Sequence, residues 1–248
     1  MYSREIKVMP SDSSCIGSIK LKNLLDHFQD TAGLAVDDIE GTATELNARG
    51  YSWVLTRYEI DFIESLPVLD EKFYIKTYHD PSHGYNTLRV FQVESEKGRL
   101  IIYAKTSWIL LDLTAGRAVK AAAHLPEIIT SDNPEIDSNF REIPDFEDSE
   151  IIKTVTKQVT FHDLDYNSHV NNAIYFGWIF DSTPVDLMNY ELKNLSASFR
   201  SGARLGENIT IQIAKLGDSQ ENLFAYKILR DGIKKPSANF LCKWERKS

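Results

Sequence analysis

Between Val170 and Phe180 the chain reads Val-Asn-Asn-Ala-Ile-Tyr-Phe-Gly-Trp-Ile-Phe. As a helix, Val170, Ala173, Ile174, Tyr175, Phe176, Trp178, Ile179 and Phe180 leave almost no polar face. A helix apolar all round must be buried on most sides. It is too short to span a bilayer, which takes ~20 apolar residues. Other parts of the chain must therefore wrap it. Asn167 or Ser168 is the expected N-cap. Gly177 lets another backbone approach, and Pro184 ends the helix between Asp181 and Thr183.

The wrapping comes from strands. Ile151 to Phe161 precedes the helix, and Leu195–Ser201, Asn208–Lys215, Asn222–Arg230 and Ala238–Glu245 follow it. The first half has the same plan. Tyr2–Met9 is a strand, and an amphipathic helix from Ser18 carries Leu21, Leu24, Leu25, Phe28 and Ala32 at helical spacing. Gly33 and Gly41 punctuate it, and helical character resumes towards Leu46. Trp53–Phe62 then puts Val54, Tyr58, Ile60 and Phe62 on one face. Lys72–Tyr78, Thr87–Val93 and the long Arg99–Leu113 follow, with turns at Lys97-Gly98 and Ala115-Gly116. Offset by 151 residues, Asp12 falls on Asp163, Leu24 on Tyr175, Phe28 on Ile179 and Asp30 on Asp181. The expected class is α+β, a tandem repeat in which each half is strand, helix, then four strands. Ile16 and Ser18 stand where the second half has Asn167 and His169, so one half alone is armed.

Pro126, Pro134 and Pro144 lie in a stretch too long for a connection inside one compact domain. The expected boundaries are therefore 1–120, a connection over 121–149, and 150–248. Residues 131–150 hold eight acids against one base, which is nearly all of the net charge of −8. The tail from Lys227 has seven bases against two acids. Both read as solvated surface, and the basic tail also suits an acidic partner. An acidic chain without a basic-aromatic platform does not point to nucleic acid. Cys15 and Cys242 form no disulfide or metal framework. The N-terminus has no apolar leader and no membrane-spanning segment follows, so the expected location is the cytoplasm.

The chemistry is concentrated just before the apolar helix, in Asp165, Asn167 and His169. In an extended segment alternate side chains point the same way, so the three would converge beside the helix N-terminus. Backbone N–H groups of Val170, Asn171 and Asn172 there could hold an oxyanion. A carboxylate as base or nucleophile, with an amide and an imidazole to orient water or a carbonyl, suits hydrolysis of an activated acyl group. A thioester fits best, because its thiolate leaves with little protonation. The plainer alternative makes Asp165 and Asn167 turn-formers and His169 incidental. His162, Asp163, Asp165 and His169 cluster, but their spacing matches no metal-ligand pattern.

The segment Asp163-Leu-Asp165-Tyr-Asn167-Ser-His169-Val-Asn171-Asn172, continued by Tyr175-Phe-Gly177-Trp178-Ile, resembles the signature of the acyl-acyl-carrier-protein thioesterases. Trp53-Val54-Leu55-Thr56-Arg57-Tyr58 adds weaker support in the first half. The resemblance implies two fused hotdog domains, each an antiparallel sheet around a long helix, with acyl carrier protein as partner. It implies that Asp165, Asn167 and His169 are catalytic and that the N-terminal domain holds the acyl chain; no cofactor or metal is expected. It is compatible with a monomer or a homodimer. The family commonly has a further acid in the strand after the catalytic helix. Here Gly202 and Ala203 align with it, and Glu207 is the nearby alternative. Three other readings stand beside this one: an acyl-CoA thioesterase; a non-catalytic acyl or carrier-protein binder, made plausible by Gly202; and a hotdog hydratase. The hydratase pattern Asp-x-Asn-x-x-His has one more residue before its histidine than this chain.

Overall fold

The computed structural model describes residues 1–36, 42–125, 135–217 and 221–247. The chain divides into two compact units, Met1–Phe140 and Arg141–Ser248. Each is a hotdog domain in which an antiparallel sheet packs on a helix. The N-terminal unit contains β1 (Tyr2–Lys7), α1 (Leu21–Leu34), α2 (Ala43–Ala48), β2 (Tyr51–Phe62), β3 (Lys72–His83), β4 (Asn86–Ser95), β5 (Leu100–Asp112), β6 (Arg117–Val119) and α3 (Ala121–His124). Its strand order is β1-β3-β4-β5-β2, with β6 on β5. The C-terminal unit contains β7 (Ile151–Gln158), α4 (Asn172–Ser182), β8 (Tyr190–Phe199), β9 (Asn208–Leu216), β10 (Asn222–Arg230) and β11 (Ala238–Arg246), in the order β8-β11-β10-β9-β7.

In the N-terminal unit, Leu21, Leu24, Leu25, Phe28 and Thr31 form the buried stripe of α1, at spacings of three and four. Phe28 stacks on Phe91 of β4, with ring centroids 4.7 Å apart and planes 6° apart. That contact defines the inner face of this sheet. The helix runs through Gly33, which the sequence reads as punctuation; Gly41 lies outside the described residues. One facing differs from expectation. Val54 is 37% exposed, while Leu55 and Tyr58 are buried. A bulge between Leu55 and Arg57 inserts one residue into β2, and an inserted residue shifts the alternation by one. The two short elements β6 and α3 carry too few residues to announce a period.

The outer face of the N-terminal sheet is covered by part of the stretch read as a connection. Ile136 is buried with Leu88 and Val90, and Phe140 packs against them. The Ile136 N–H donates to Asp80 at 3.3 Å, and the Lys105 ammonium sits 4.7 Å from the Phe140 ring centroid and donates to the Asn139 carbonyl. Farther along, Phe146 packs on Ala214 and Ala225 of the C-terminal unit, and Lys227 bonds its carbonyl. Both ends of the acidic stretch are thus pinned by aromatic and aliphatic anchors; Pro126 and Pro134 lie outside the described residues.

In the C-terminal unit, α4 buries Ala173, Tyr175, Phe176, Trp178 and Ile179. Phe176, Phe199 and Phe240 meet edge-on or tilted at 5.2–6.0 Å. The helix begins at Asn172, later than Val170, and ends at Ser182 ahead of Pro184. Its cap is Asn171, whose Oδ1 accepts from Ala173 N–H at 2.9 Å. Asn167 and Ser168, the expected caps, lie farther back in the loop. No helix among the described residues is long and apolar enough to cross a membrane.

Candidate active site

The polar segment before α4 is not extended. Leu164 and Val170 form an isolated antiparallel bridge, and the chain between them is a closed loop. Asp165 N–H donates to the His169 carbonyl at 2.7 Å, and Ser168 N–H to the Asp165 carbonyl at 3.0 Å. Ser168 takes a positive φ of 61°, an uncommon conformation for a residue with a Cβ. The segment is therefore a turn and not an alternating strand, and the turn gathers main-chain amides onto the Asp165 carboxylate. Asp165 Oδ1 accepts from Asn167 N–H at 2.8 Å and from His169 N–H at 3.2 Å. Asp165, Asn167 and His169 are each half-buried.

The oxyanion expectation needs correction at two of its three amides. Val170 N–H donates to the Ala203 carbonyl and Asn171 N–H to the Asp163 carbonyl, each at 2.9 Å. Those bonds close the loop and leave neither amide for a ligand. Asn172 is the first residue of α4, where a helix leaves its amides without intrahelical acceptors. Asp163 is a capping residue: its Oδ2 accepts from Thr160 N–H at 2.7 Å and Oγ1 at 2.8 Å.

The same backbone construction occurs a second time. In the N-terminal unit Ser13 bridges Ile19, at the positions 151 residues before Leu164 and Val170. Ser14 N–H donates to Ser18 O, Gly17 N–H to Ser14 O, and Lys20 N–H to Asp12 O. Each matches a bond of the second loop: Asp165 to His169, Ser168 to Asp165, and Asn171 to Asp163. Gly17, at φ 84°, stands where Ser168 takes its positive φ. Asp12 caps Met9 N–H as Asp163 caps Thr160 N–H, and the two helices start at Leu21 and Asn172. The chain thus builds one loop twice, with Ser14, Ile16 and Ser18 in the first copy and Asp165, Asn167 and His169 in the second. The shared main-chain bonds do not require a carboxylate at 165, since Ser14 stands there in the first copy; the two bonds to Asp165 Oδ1 are additional.

Two neighbours, Gly202 and Tyr175, hold the armed loop in ways that their residue types did not indicate. A Cβ on Gly202 would lie 2.9 Å from His169 Cδ2 and 3.1 Å from its Cβ and Cγ. The imidazole therefore rests on bare backbone, at the position aligned with the family's extra acid. Next to it, Ala203 N–H donates to the Tyr175 hydroxyl at 3.0 Å, while the Ala203 carbonyl takes Val170 N–H. Tyr175 is 1% exposed, and burial pushes its pKa up to about 12, so it stays a neutral hydroxyl. It reads in the sequence as one more core aromatic; the available signal was that a buried tyrosine needs a partner for its hydroxyl. Glu207, the alternative acid, is committed elsewhere. Arg230 grips it through two bonds of 2.7 and 2.8 Å, which hold its carboxyl below the usual range, and it caps Arg204 N–H. Among the described residues no cluster of three or more His, Cys, Asp or Glu is placed to hold a metal ion, His162, Asp163, Asp165 and His169 included.

Tyr175→Phe should destabilise the protein by about 1–3 kcal/mol, because it strands a buried N–H. Denaturant unfolding with unchanged slope would show the loss; equal stability would mean that the Ala203 amide finds another acceptor.

Two models of known domains match the chain. Residues 1–129 match the acyl-ACP thioesterase N-terminal domain, and residues 147–245 match the acyl-ACP thioesterase C-terminal domain. The chain belongs to the acyl-ACP thioesterase family. Among relatives of this family, the chloroplastic palmitoyl-acyl carrier protein thioesterase of Gossypium hirsutum is 24% identical over 216 residues, covering 81% of this chain and 51% of the relative. The chain spans about half the length of the curated relatives it matches. Two solved acyl-ACP thioesterases share the fold along nearly the whole chain. The protein of Bacteroides thetaiotaomicron is 21% identical with a TM-score of 0.83, covering 98% of this chain and 97% of that one. The 12:0-ACP thioesterase of Umbellularia californica is 16% identical with a TM-score of 0.86, covering 99% and 94%.

Proposed function

We propose that the protein hydrolyses the thioester of fatty acyl-acyl-carrier protein, releasing free fatty acid and carrier protein. The observation that carries this reading is the doubled loop: one backbone construction, armed with a carboxylate, an amide and an imidazole in one copy only. Family membership supplies the substrate class.

In the proposed reaction Asp165 acts as base or as nucleophile. As base it takes a proton from water, whose oxygen bonds to the thioester carbonyl carbon. The carbonyl oxygen becomes an oxyanion, which in this reading Asn167, His169 and the Asn172 N–H at the positive end of α4 steady. Collapse breaks the carbon–sulfur bond, and the thiolate of the carrier's arm leaves and takes up the proton. His169 keeps its position by resting on Gly202. With no side chain at 202 and Glu207 held by Arg230, Asp165 is the carboxylate of the proposed site. Carrier protein is the proposed partner and the cytoplasm the proposed location, with no cofactor. Part of the basic tail is engaged internally, Arg230 by Glu207 and Lys227 by Asp145, so it is not a wholly free docking surface.

The test is a release assay with matched acyl-carrier-protein and acyl-CoA substrates over a range of chain lengths. Free fatty acid from the carrier substrates, at a kcat/KM roughly tenfold or more above the CoA series, is the expected result, worth ~1.4 kcal/mol of discrimination. Faster CoA hydrolysis would move the assignment to an acyl-CoA thioesterase, and binding without release to a non-catalytic binder.

A further inference from the structure

The inner face of the N-terminal sheet has an unusual middle. Tyr58 pairs across the strands with Thr106, Thr106 with Arg89, and Arg89 with His79. Arg89 lies two residues from Phe91, and alternate residues share a face, so its side chain leaves the sheet on the side that carries α1. Apolar residues flank this row in both directions. On one side are Phe73, Ile75, Phe91, Val93, Ile102 and Ala104; on the other, Leu110 packs with Leu46 and Leu125. Among the described residues, a polar row that carries the Arg89 guanidinium beside His79 therefore interrupts an otherwise apolar strip.

That charge is poorly matched. Of the five N–H groups of the guanidinium, one bonds Thr77 Oγ1, at 3.2 Å, and no carboxylate pairs with it among the described residues. Thr77 has already given its own proton to the Val90 carbonyl. Two residues along β4, on the same face, Thr87 Oγ1 is buried without a partner. Burial depresses the Arg89 pKa to about 10. Arg89 is half-buried, and a cation drawn partly out of water without a counter-charge is costly. The fold itself does not require one. In the C-terminal unit, the polar group enclosed on β10 is Tyr226, a neutral hydroxyl 2.7 Å from Thr183 Oγ1.

We propose that Arg89, backed by Thr77 and Thr87, is a specificity-determining residue that ends the apolar strip on the inner face of the N-terminal unit and so bounds the length of acyl chain accepted. This rests on the reading that this unit holds the acyl chain. Alkyl groups gain by leaving water but gain nothing beside a guanidinium that must keep its own polar contacts. A chain that stops short of Arg89 binds; one that reaches it displaces those contacts.

The experiment uses the full chain and the variants Arg89→Met and Arg89→Lys. Thermal unfolding and kcat/KM are measured over a panel of acyl-carrier-protein substrates of increasing length. Arg89→Met should raise or preserve the unfolding temperature and move the preferred length upward, with a gain of about fourfold for each additional methylene buried. Arg89→Lys, which keeps the charge, should keep the wild-type profile. A folded Arg89→Met variant with an unchanged profile overturns the proposal, as does an equal shift in Arg89→Lys. Should the wild type release no fatty acid from any carrier substrate, the proposed hydrolysis fails separately. The same panel of free fatty acids, bound and measured by calorimetry, then decides on Arg89 by the same comparison of profiles.

Discussion

Replacing Asp165 by serine, the residue at the matching point of the first loop, should abolish most activity while the protein still folds. The expected fall in kcat/KM is roughly 10²- to 10⁴-fold, the range for removing a positioned base. The expected cost in stability is about 1–2 kcal/mol, for the two amide bonds that Asp165 Oδ1 accepts. The substitution is more discriminating than alanine because the chain already contains the answer: Ser14 sits in the same set of main-chain bonds. Single-turnover release of fatty acid, read beside the unfolding transition, separates the two roles. Near-normal turnover in a folded Asp165→Ser variant would return Asp165 to the rank of a turn residue.

Adding one methyl group at Gly202 should be almost as damaging. The new carbon of Gly202→Ala would meet three atoms of His169 at 2.9–3.1 Å, inside ordinary van der Waals contact. The imidazole has to give way by some tenths of an ångström, and misplacement of a catalytic group by ~1 Å can lose ~10²-fold in rate. The predicted result is a fall in kcat of roughly tenfold to 10²-fold, little change in KM, and an almost unchanged unfolding transition. Gly202→Glu should fail in the same direction, since the side chain meets His169 before it can act as a base. Recovery of activity by the glutamate variant would show that the loop yields more readily than the contact implies.

How much of this was legible in the sequence follows from what each feature depends on. The period of the strands and the apolar surface of α4 are local properties. The strands from Asn208, Asn222 and Ala238 accordingly begin where the alternation begins. The β2 bulge is not local in this sense: one inserted residue at Thr56 reverses which of Val54 and Leu55 is buried, and nothing in residue type marks it. The loop at 164–170 misled for a related reason. Asp, Asn and His at alternate positions read as a strand edge, yet a bridge between Leu164 and Val170 folds them into a turn and uses up two of the three amides expected for an oxyanion. Gly202 was noticed as a missing acid. What it does instead, which is to seat His169, depends on a contact between residues 33 positions apart in the chain. Arg89 gave no signal at all, because an arginine in an alternating strand is ordinarily on the solvent side.

The silent loop also bears on how such a chain can change over time. Once one copy of a duplicated part does the chemistry, the other is released from every demand except folding. Ser14, Ile16 and Ser18 meet that demand with the same main-chain bonds. The half that carries them can then accept substitutions that a working half would reject, an ill-matched arginine among them. On the proposed function, inheritance of this kind would separate two kinds of variation: changes in the first half would retune which substrates are chosen, and changes in the second would decide whether any are consumed.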